Sequence, residues 1–285
     1  MGNLTRVVVL LTTGLLLVGC GSPEAARPAG SAAATGPAGG APSSSAQSSP
    51  TAAPDGAARC GSPGLASARG VRLPAERGAL YALNAGTGAR GVLLIHGSGR
   101  SGVCVWPKEI PGLAAAGYHV LAIDHSCIGE SACPSGEKDL VNDIAVGTRY
   151  LLTHGARSVV VVGASAGSAQ VVVAAAVADV PLNAAVSLSA ARLDSTVRPT
   201  GQTPRTAWEA APLVRVPILY MIAADDTVAS VPDTRALHTA TPAKYRSIVE
   251  LPTGGHAQQL LLAGSDLGGP AYQQFIAFLN QHSGK

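Results

Sequence analysis

The chain divides into three regimes by the spacing of its apolar positions. The first is a run of twelve uncharged, mostly apolar residues, 7–18, preceded by Arg6. That run is too short to span a bilayer and has the length of an export-signal core, so residues 1–19 read as a signal peptide. In the second regime, residues 20–69, Ala, Gly, Ser, Pro and Thr predominate and aromatic residues are absent. Such a stretch has little to bury and reads as a tether, spanning about 40 Å as a flexible coil. The third regime, residues 70–285, carries apolar runs at two alternating periods. Residues 71–73 and 79–83 read as short edge strands, and 84–91 as a glycine-rich turn. Buried strands follow at 92–95 and 159–162, and further strands at 119–124, 184–189, 217–223 and 245–251. Between and after them, helical spacing covers 107–116, 139–153, 166–178, 233–240 and 272–281. Strand and helix in alternation make a mostly parallel α/β sheet with helices on both faces, and such a sheet holds its ligand beyond the carboxyl ends of the strands.

One stretch dominates this third regime: Val159-Val160-Val161-Val162-Gly163-Ala164-Ser165-Ala166-Gly167-Ser168. Four successive valines are the mark of a strand buried on both faces. The glycines that follow allow the chain to reverse sharply into a helix, leaving Ser165 exposed at the apex of a strained turn. A serine so placed is a candidate nucleophile. Further along, Gly254-Gly255-His256 sets His256 on a glycine loop, and its ordinary pKa near 6.5 suits it to take and return a proton.

Composition narrows the possibilities. About 216 residues make one domain with a sizeable core. The chain is 47% hydrophobic and 13% charged, with a net charge of +3 spread over scattered arginines, so no basic stripe points to nucleic acid. Of the five cysteines, Cys20 ends the signal segment and four remain. An even number in an exported chain implies two disulfides. Three pairings are possible; the short separation of Cys127 and Cys133 suits a loop and favours that pair, with Cys60 joined to Cys104, and the C-x-x-C spacing of a metal site is missing.

Two resemblances add to this reading. Leu17-Val18-Gly19-Cys20 resembles the lipobox of bacterial lipoproteins, which implies cleavage before Cys20, lipidation of its thiol and an extracytoplasmic protein anchored to the cell membrane. Residues 70–285 resemble the α/β-hydrolase family of serine esterases and lipases, dienelactone hydrolases included, in motif and in order. His96-Gly97-Ser98-Gly99 is similar to the family's His-Gly loop, which implies an oxyanion hole built from the N–H groups of Ser98 and Ala166. The resemblance also implies an acid on the strand before His256. Asp226, nine residues after Pro217, matches that pattern, with Asp225 expected to face away and Asp194 as a further rival. His96 is read as structural.

The function these features imply is hydrolysis of a small carboxylic ester through an acyl-enzyme, with Ser165, Asp226 and His256 as the triad and no cofactor or metal. Thioesterase and peptidase chemistry share the fold. The dienelactone enzymes use cysteine as nucleophile where this chain has serine, which favours ester chemistry. Fewer than thirty residues separate Ser189 from Pro217, too few for a large helical lid. Trp106 and Trp208 are candidates for an acyl pocket or for packing. The alternative class is a surface binding module on a hydrolase fold without turnover.

Overall fold

The computed structural model describes residues 53–133, 139–177, 179–190, 201, 203–263 and 266–284. The signal segment, Cys20, most of the tether and Asp194 lie outside the described residues.

Eight strands form one sheet: β1 (Arg69–Leu73), β2 (Leu80–Ala85), β3 (Arg90–Ile95), β4 (His119–Ile123), β5 (Ser158–Ala164), β6 (Ala184–Leu188), β7 (Ile218–Ala223) and β8 (Arg246–Leu251). Their order is β1-β2-β4-β3-β5-β6-β7-β8. β2 runs antiparallel to both β1 and β4, and from β4 to β8 every neighbouring pair is parallel. Among the described residues seven α-helices accompany them: α1 (Gly56–Cys60), α2 (Glu109–Ala115), α3 (Leu140–Thr153), α4 (Ala166–Ala176), α5 (Ala207–Ala210), α6 (Val231–Ala240) and α7 (Pro270–His282). The elements expected from periodicity are all present, with ends displaced by a residue or two.

The valines of β5 show why the sheet is buried on both sides. Val159 and Val161 enter one core with α3 and α4, whereas Val160 and Val162 enter a second with α2 and α7. Successive side chains of a strand point to opposite faces, so a central strand between two helical layers must be apolar throughout. β8, at the edge, is only half-buried.

Packed structure begins before Gly70. α1 is capped by Asp55, whose carboxylate accepts from the Ala58 N–H at 3.2 Å, and Leu65 and Ala68 are fully buried. The composition of this segment gives no periodicity to read; long-range contacts hold it. Cys60 is joined to Cys104, and Arg59 reaches the buried carboxylate of Asp124 at 3.4 Å. Asp124 also accepts the Val103 N–H at 2.7 Å and the Glu130 N–H at 3.1 Å. The second disulfide, Cys127–Cys133, closes the loop beyond β4. Both pairings agree with the sequence expectation.

Candidate active site

β5 delivers its chain to α4 through a single residue, Ser165, with φ 55° and ψ −119°. Left-handed φ strains any side-chain-bearing residue, and here close packing enforces it. A Cβ on Gly163 would lie 2.2 Å from the Gly167 carbonyl oxygen, and one on Gly167 would lie 2.5 Å from that of His96. The Ser165 N–H donates to the Leu188 carbonyl at 3.0 Å, fixing the turn to the end of β6.

His256 lies on the loop after β8. Its Nε2 is 2.8 Å from Ser165 Oγ, and its Nδ1 is 2.9 and 3.0 Å from the two carboxylate oxygens of Asp226. The Asp226 side chain is fully buried and the imidazole is 26% exposed. A carboxylate can only accept, so Nδ1 carries the hydrogen and Nε2 turns a lone pair towards the Ser165 hydroxyl. Burial pushes the Asp226 carboxyl up, yet hydrogen bonds from the Ala229 N–H, the Ser189 hydroxyl, His256 and the Val228 N–H together hold it below the usual range. It is therefore ionised at neutral pH.

Asp225 differs from its expected orientation. It does not face away from the histidine loop: its Oδ1 accepts the Gly254 and Gly255 N–H groups at 2.9 and 3.0 Å. Adjacent aspartates thus hold one loop, Asp226 through the imidazole and Asp225 through the backbone before it. Gln259 adds a third hold, its side-chain carbonyl accepting the His256 N–H at 2.9 Å.

Ser189 was not singled out by the sequence. It sits just past β6 with φ 55°, fully buried, and its Oγ accepts the Ala257 N–H at 2.7 Å while its hydroxyl serves Asp226. It thereby ties the residue after His256 to the acid. The only available signal is its position at the carboxyl end of the strand beside β7.

The His96–Gly99 loop passes against the elbow. A Cβ on Gly97 would lie 2.8 Å from Ser165 Cβ, so only glycine permits the approach. Ser98 and Ala166 border the same cavity. Neither of their N–H groups donates a hydrogen bond among the described residues, and Ala166 opens α4, where the helix dipole favours negative charge. His96 is structural: burial above all holds its pKa down to about 4, its Nδ1–H donates to the Gly97 carbonyl at 2.7 Å and its Nε2 accepts the His125 N–H at 3.2 Å. Trp106 is fully buried and Trp208 packs against the core of α3 and α4. Among the described residues no group of three or more His, Cys, Asp or Glu side chains converges as a metal site.

This architecture has known counterparts. The family model for the alpha/beta hydrolase fold matches residues 91–214. Among solved structures, the chain is similar to the esterase Pf2001 of Pyrococcus furiosus, with 17% identity over 76% of this chain and 93% of that one and a TM-score of 0.63. It is also similar to a putative dienelactone hydrolase from Klebsiella pneumoniae, with 18% identity over 75% and 98% of the two chains and a TM-score of 0.59. The carboxylesterase CesB from Bacillus subtilis shares 15% identity over 74% of this chain and 91% of its own, with a TM-score of 0.56. No curated protein matches by sequence. The chain has the alpha/beta hydrolase fold.

Proposed function

We propose that the protein is a serine hydrolase that cleaves a carboxylic ester through an acyl-enzyme. The observation that carries this reading is the continuous line Ser165 Oγ, His256 Nε2, His256 Nδ1, Asp226, with every step at 3.0 Å or less. Ser165 Oγ attacks the ester carbonyl carbon as its proton passes to His256 Nε2. Negative charge gathers on the former carbonyl oxygen, where the Ser98 and Ala166 N–H groups receive it; one such donor is worth about 2.7–4 kcal/mol in the transition state. The imidazolium then gives its proton to the departing alcohol. Water, deprotonated by the same Nε2, attacks the acyl group, and collapse of that second intermediate frees the acid and restores Ser165. Asp226 stays ionised throughout and balances the imidazolium. The esterase names of the fold's neighbours agree with this chemistry.

A soluble ester of modest size is the expected substrate, because the stretch between Ser189 and Pro217 is too short for a large helical lid. The lipobox-like segment ending at Cys20 supports an extracytoplasmic enzyme held at the membrane by a lipid on that residue. One acyl chain binds only marginally, and the several chains of a bacterial lipoprotein anchor stably.

A fluorophosphonate probe, which reacts with an activated serine whatever the substrate, tests the proposal. Covalent labelling at Ser165, lost in Ser165→Ala, is the expected result. Folded protein that takes no label would overturn the hydrolase reading in favour of a surface binding module.

A further inference from the structure

Cations that are scattered along the sequence gather at one end of the fold. The strands from β4 to β8 in the sheet order run parallel, so their amino ends share one side of the molecule and their carboxyl ends, with Ser165, share the other. Arg90 opens β3, Arg157 precedes β5, Arg215 precedes β7, and Lys244 and Arg246 sit at the start of β8. Arg90 is half-buried, its guanidinium 4.3 Å from the centre of the Tyr118 ring, and the other four are exposed. None of the five pairs with a carboxylate among the described residues. Asp179 is exposed on the connection from α4 to β6, and Glu209 is taken up in the cap of α5, where it accepts the Arg205 N–H at 2.7 Å, so this end stays strongly positive.

These side chains border one continuous surface. One hollow holds Arg90, Arg157, Asn183 and Ser283, a second Leu182, Leu213 and Arg215, and a third Lys244, Tyr245, Arg246 and His282. Consecutive residues, Leu182 with Asn183 and His282 with Ser283, join the first hollow to the other two. No Asp or Glu borders any of the three among the described residues. Leu213 and Tyr245 stand 45% and 50% exposed there. Cations beside an exposed leucine and tyrosine suit the boundary of a bilayer, where the charged heads meet lipid phosphates and the apolar parts enter the headgroup layer. A purely acidic polymer would leave Leu213 and Tyr245 bare. The opposite end has the contrary sign: Glu130, Asp139, Asp225, Asp226 and Asp266 lie beyond the carboxyl ends of the strands, against Arg100 and Lys108. An anionic surface therefore attracts one end of the domain and repels the other.

We infer that the amino end of the sheet docks on an anionic lipid bilayer and holds the domain with Ser165 turned away from it. The surface stands whether or not Ser165 is a nucleophile. A lipid on Cys20 would add to the docking by keeping the domain near the bilayer.

The test uses the full chain with Cys20→Ala, so that no acyl group contributes, and vesicles of mixed phosphatidylglycerol and phosphatidylcholine against vesicles of phosphatidylcholine alone. Flotation at low salt should recover the protein with the anionic vesicles, and rising salt should release it. Each cation removed should weaken binding about fivefold, so Arg157→Gln, Lys244→Gln and Arg246→Gln together should cost roughly a hundredfold. Arg77→Gln, an exposed cation in the turn between β1 and β2 at the opposite end, should leave binding unchanged. Orientation is read by acetylation: on anionic vesicles Lys244 should be protected and Lys108 should stay reactive. Equal binding to both kinds of vesicle, binding to neither, or wild-type binding in the triple variant overturns the inference. Equal protection of Lys244 and Lys108 overturns it too, as does binding to soluble polyphosphate with none to vesicles, which would assign the surface to an acidic polymer. Fluorophosphonate labelling of Ser165 is read separately, so failure of the docking and failure of the hydrolase reading are distinguishable.

Discussion

Replacing Asp226 with asparagine changes one atom, and the surrounding hydrogen bonds decide where that atom goes. Oδ1 accepts the Val228 and Ala229 N–H groups at 2.8 and 2.9 Å. Only the amide oxygen can take that place, which sends the NH₂ to the Oδ2 position, 2.9 Å from His256 Nδ1. There the NH₂ donates to Nδ1, and the ring proton moves to Nε2. Nε2 then faces Ser165 Oγ as a donor and cannot accept its proton. The imidazolium also loses its balancing charge. Loss of the correct tautomer in a serine triad lowers turnover by about 10⁴, or some 5 kcal/mol of barrier. Fold should persist, because the two backbone hydrogen bonds remain. Hydrolysis of para-nitrophenyl butyrate at neutral pH, with circular dichroism as the folding control, gives the measurement. Asp225→Asn is the comparison: its amide oxygen can still accept from Gly254 and Gly255, so turnover should fall less than tenfold, the span of a neutral hydrogen bond. Near-normal turnover in Asp226→Asn, with a collapse in Asp225→Asn, would refute the assignment of the acid.

Other expectations bear on positioning, stability and anchoring. Ser189→Ala removes a donor to Asp226 and the acceptor of the Ala257 N–H. kcat should fall by roughly ten- to a hundredfold, the worth of a hydrogen bond to a charged group, with KM little changed; unchanged kcat would show that Ser189 only packs. Glu109 is fully buried on α2, and burial pushes its carboxyl up from 4.5 to about 7, with the Glu109 and Lys108 N–H groups nearby but out of hydrogen-bonding geometry. Its folded pKa exceeds its unfolded one, so its contribution is intact below pH 4.5 and lost as pH rises through about 7, costing about 3 kcal/mol. Glu109→Gln should therefore raise Tm at pH 8 and leave it alone at pH 4; equal shifts at both would refute the account. Cys20→Ala should move the protein from the detergent phase to the aqueous phase on cloud-point partitioning, and unchanged partitioning would sink the lipid anchor.

Much of this molecule is legible in the chain because its signals are local. The valine run and the two glycines of the elbow state β5, the turn and α4 within ten residues, and the resemblance to the hydrolase family points to Asp226 by its place after Pro217. What escaped reading is held by contacts far apart in sequence. Ser189 gains its role only where β6 ends beside β7, and nothing near it in the chain marks a serine that must adopt left-handed φ. Asp225 is expected to face away because only one of two adjoining aspartates can point at His256, yet past the end of β7 it reaches the backbone of the same loop. The segment before Gly70 shows no periodicity, because Leu65 is placed by the core it shares with α2 and Cys60 by Cys104 in the turn before α2.

The Cys60–Cys104 bond has a mechanical consequence. It encloses residues 61–103, and β1, β2 and β3 lie inside that covalent ring. A pull on the chain ahead of α1 passes through sulfur to Cys104 without travelling along the backbone between them. β1 is the edge strand, the first that a force on its own end would unzip, and the ring takes that force off it. Ser98 rides in the same enclosed stretch, so the geometry around Ser165 is insulated from strain arriving through the N-terminal segment.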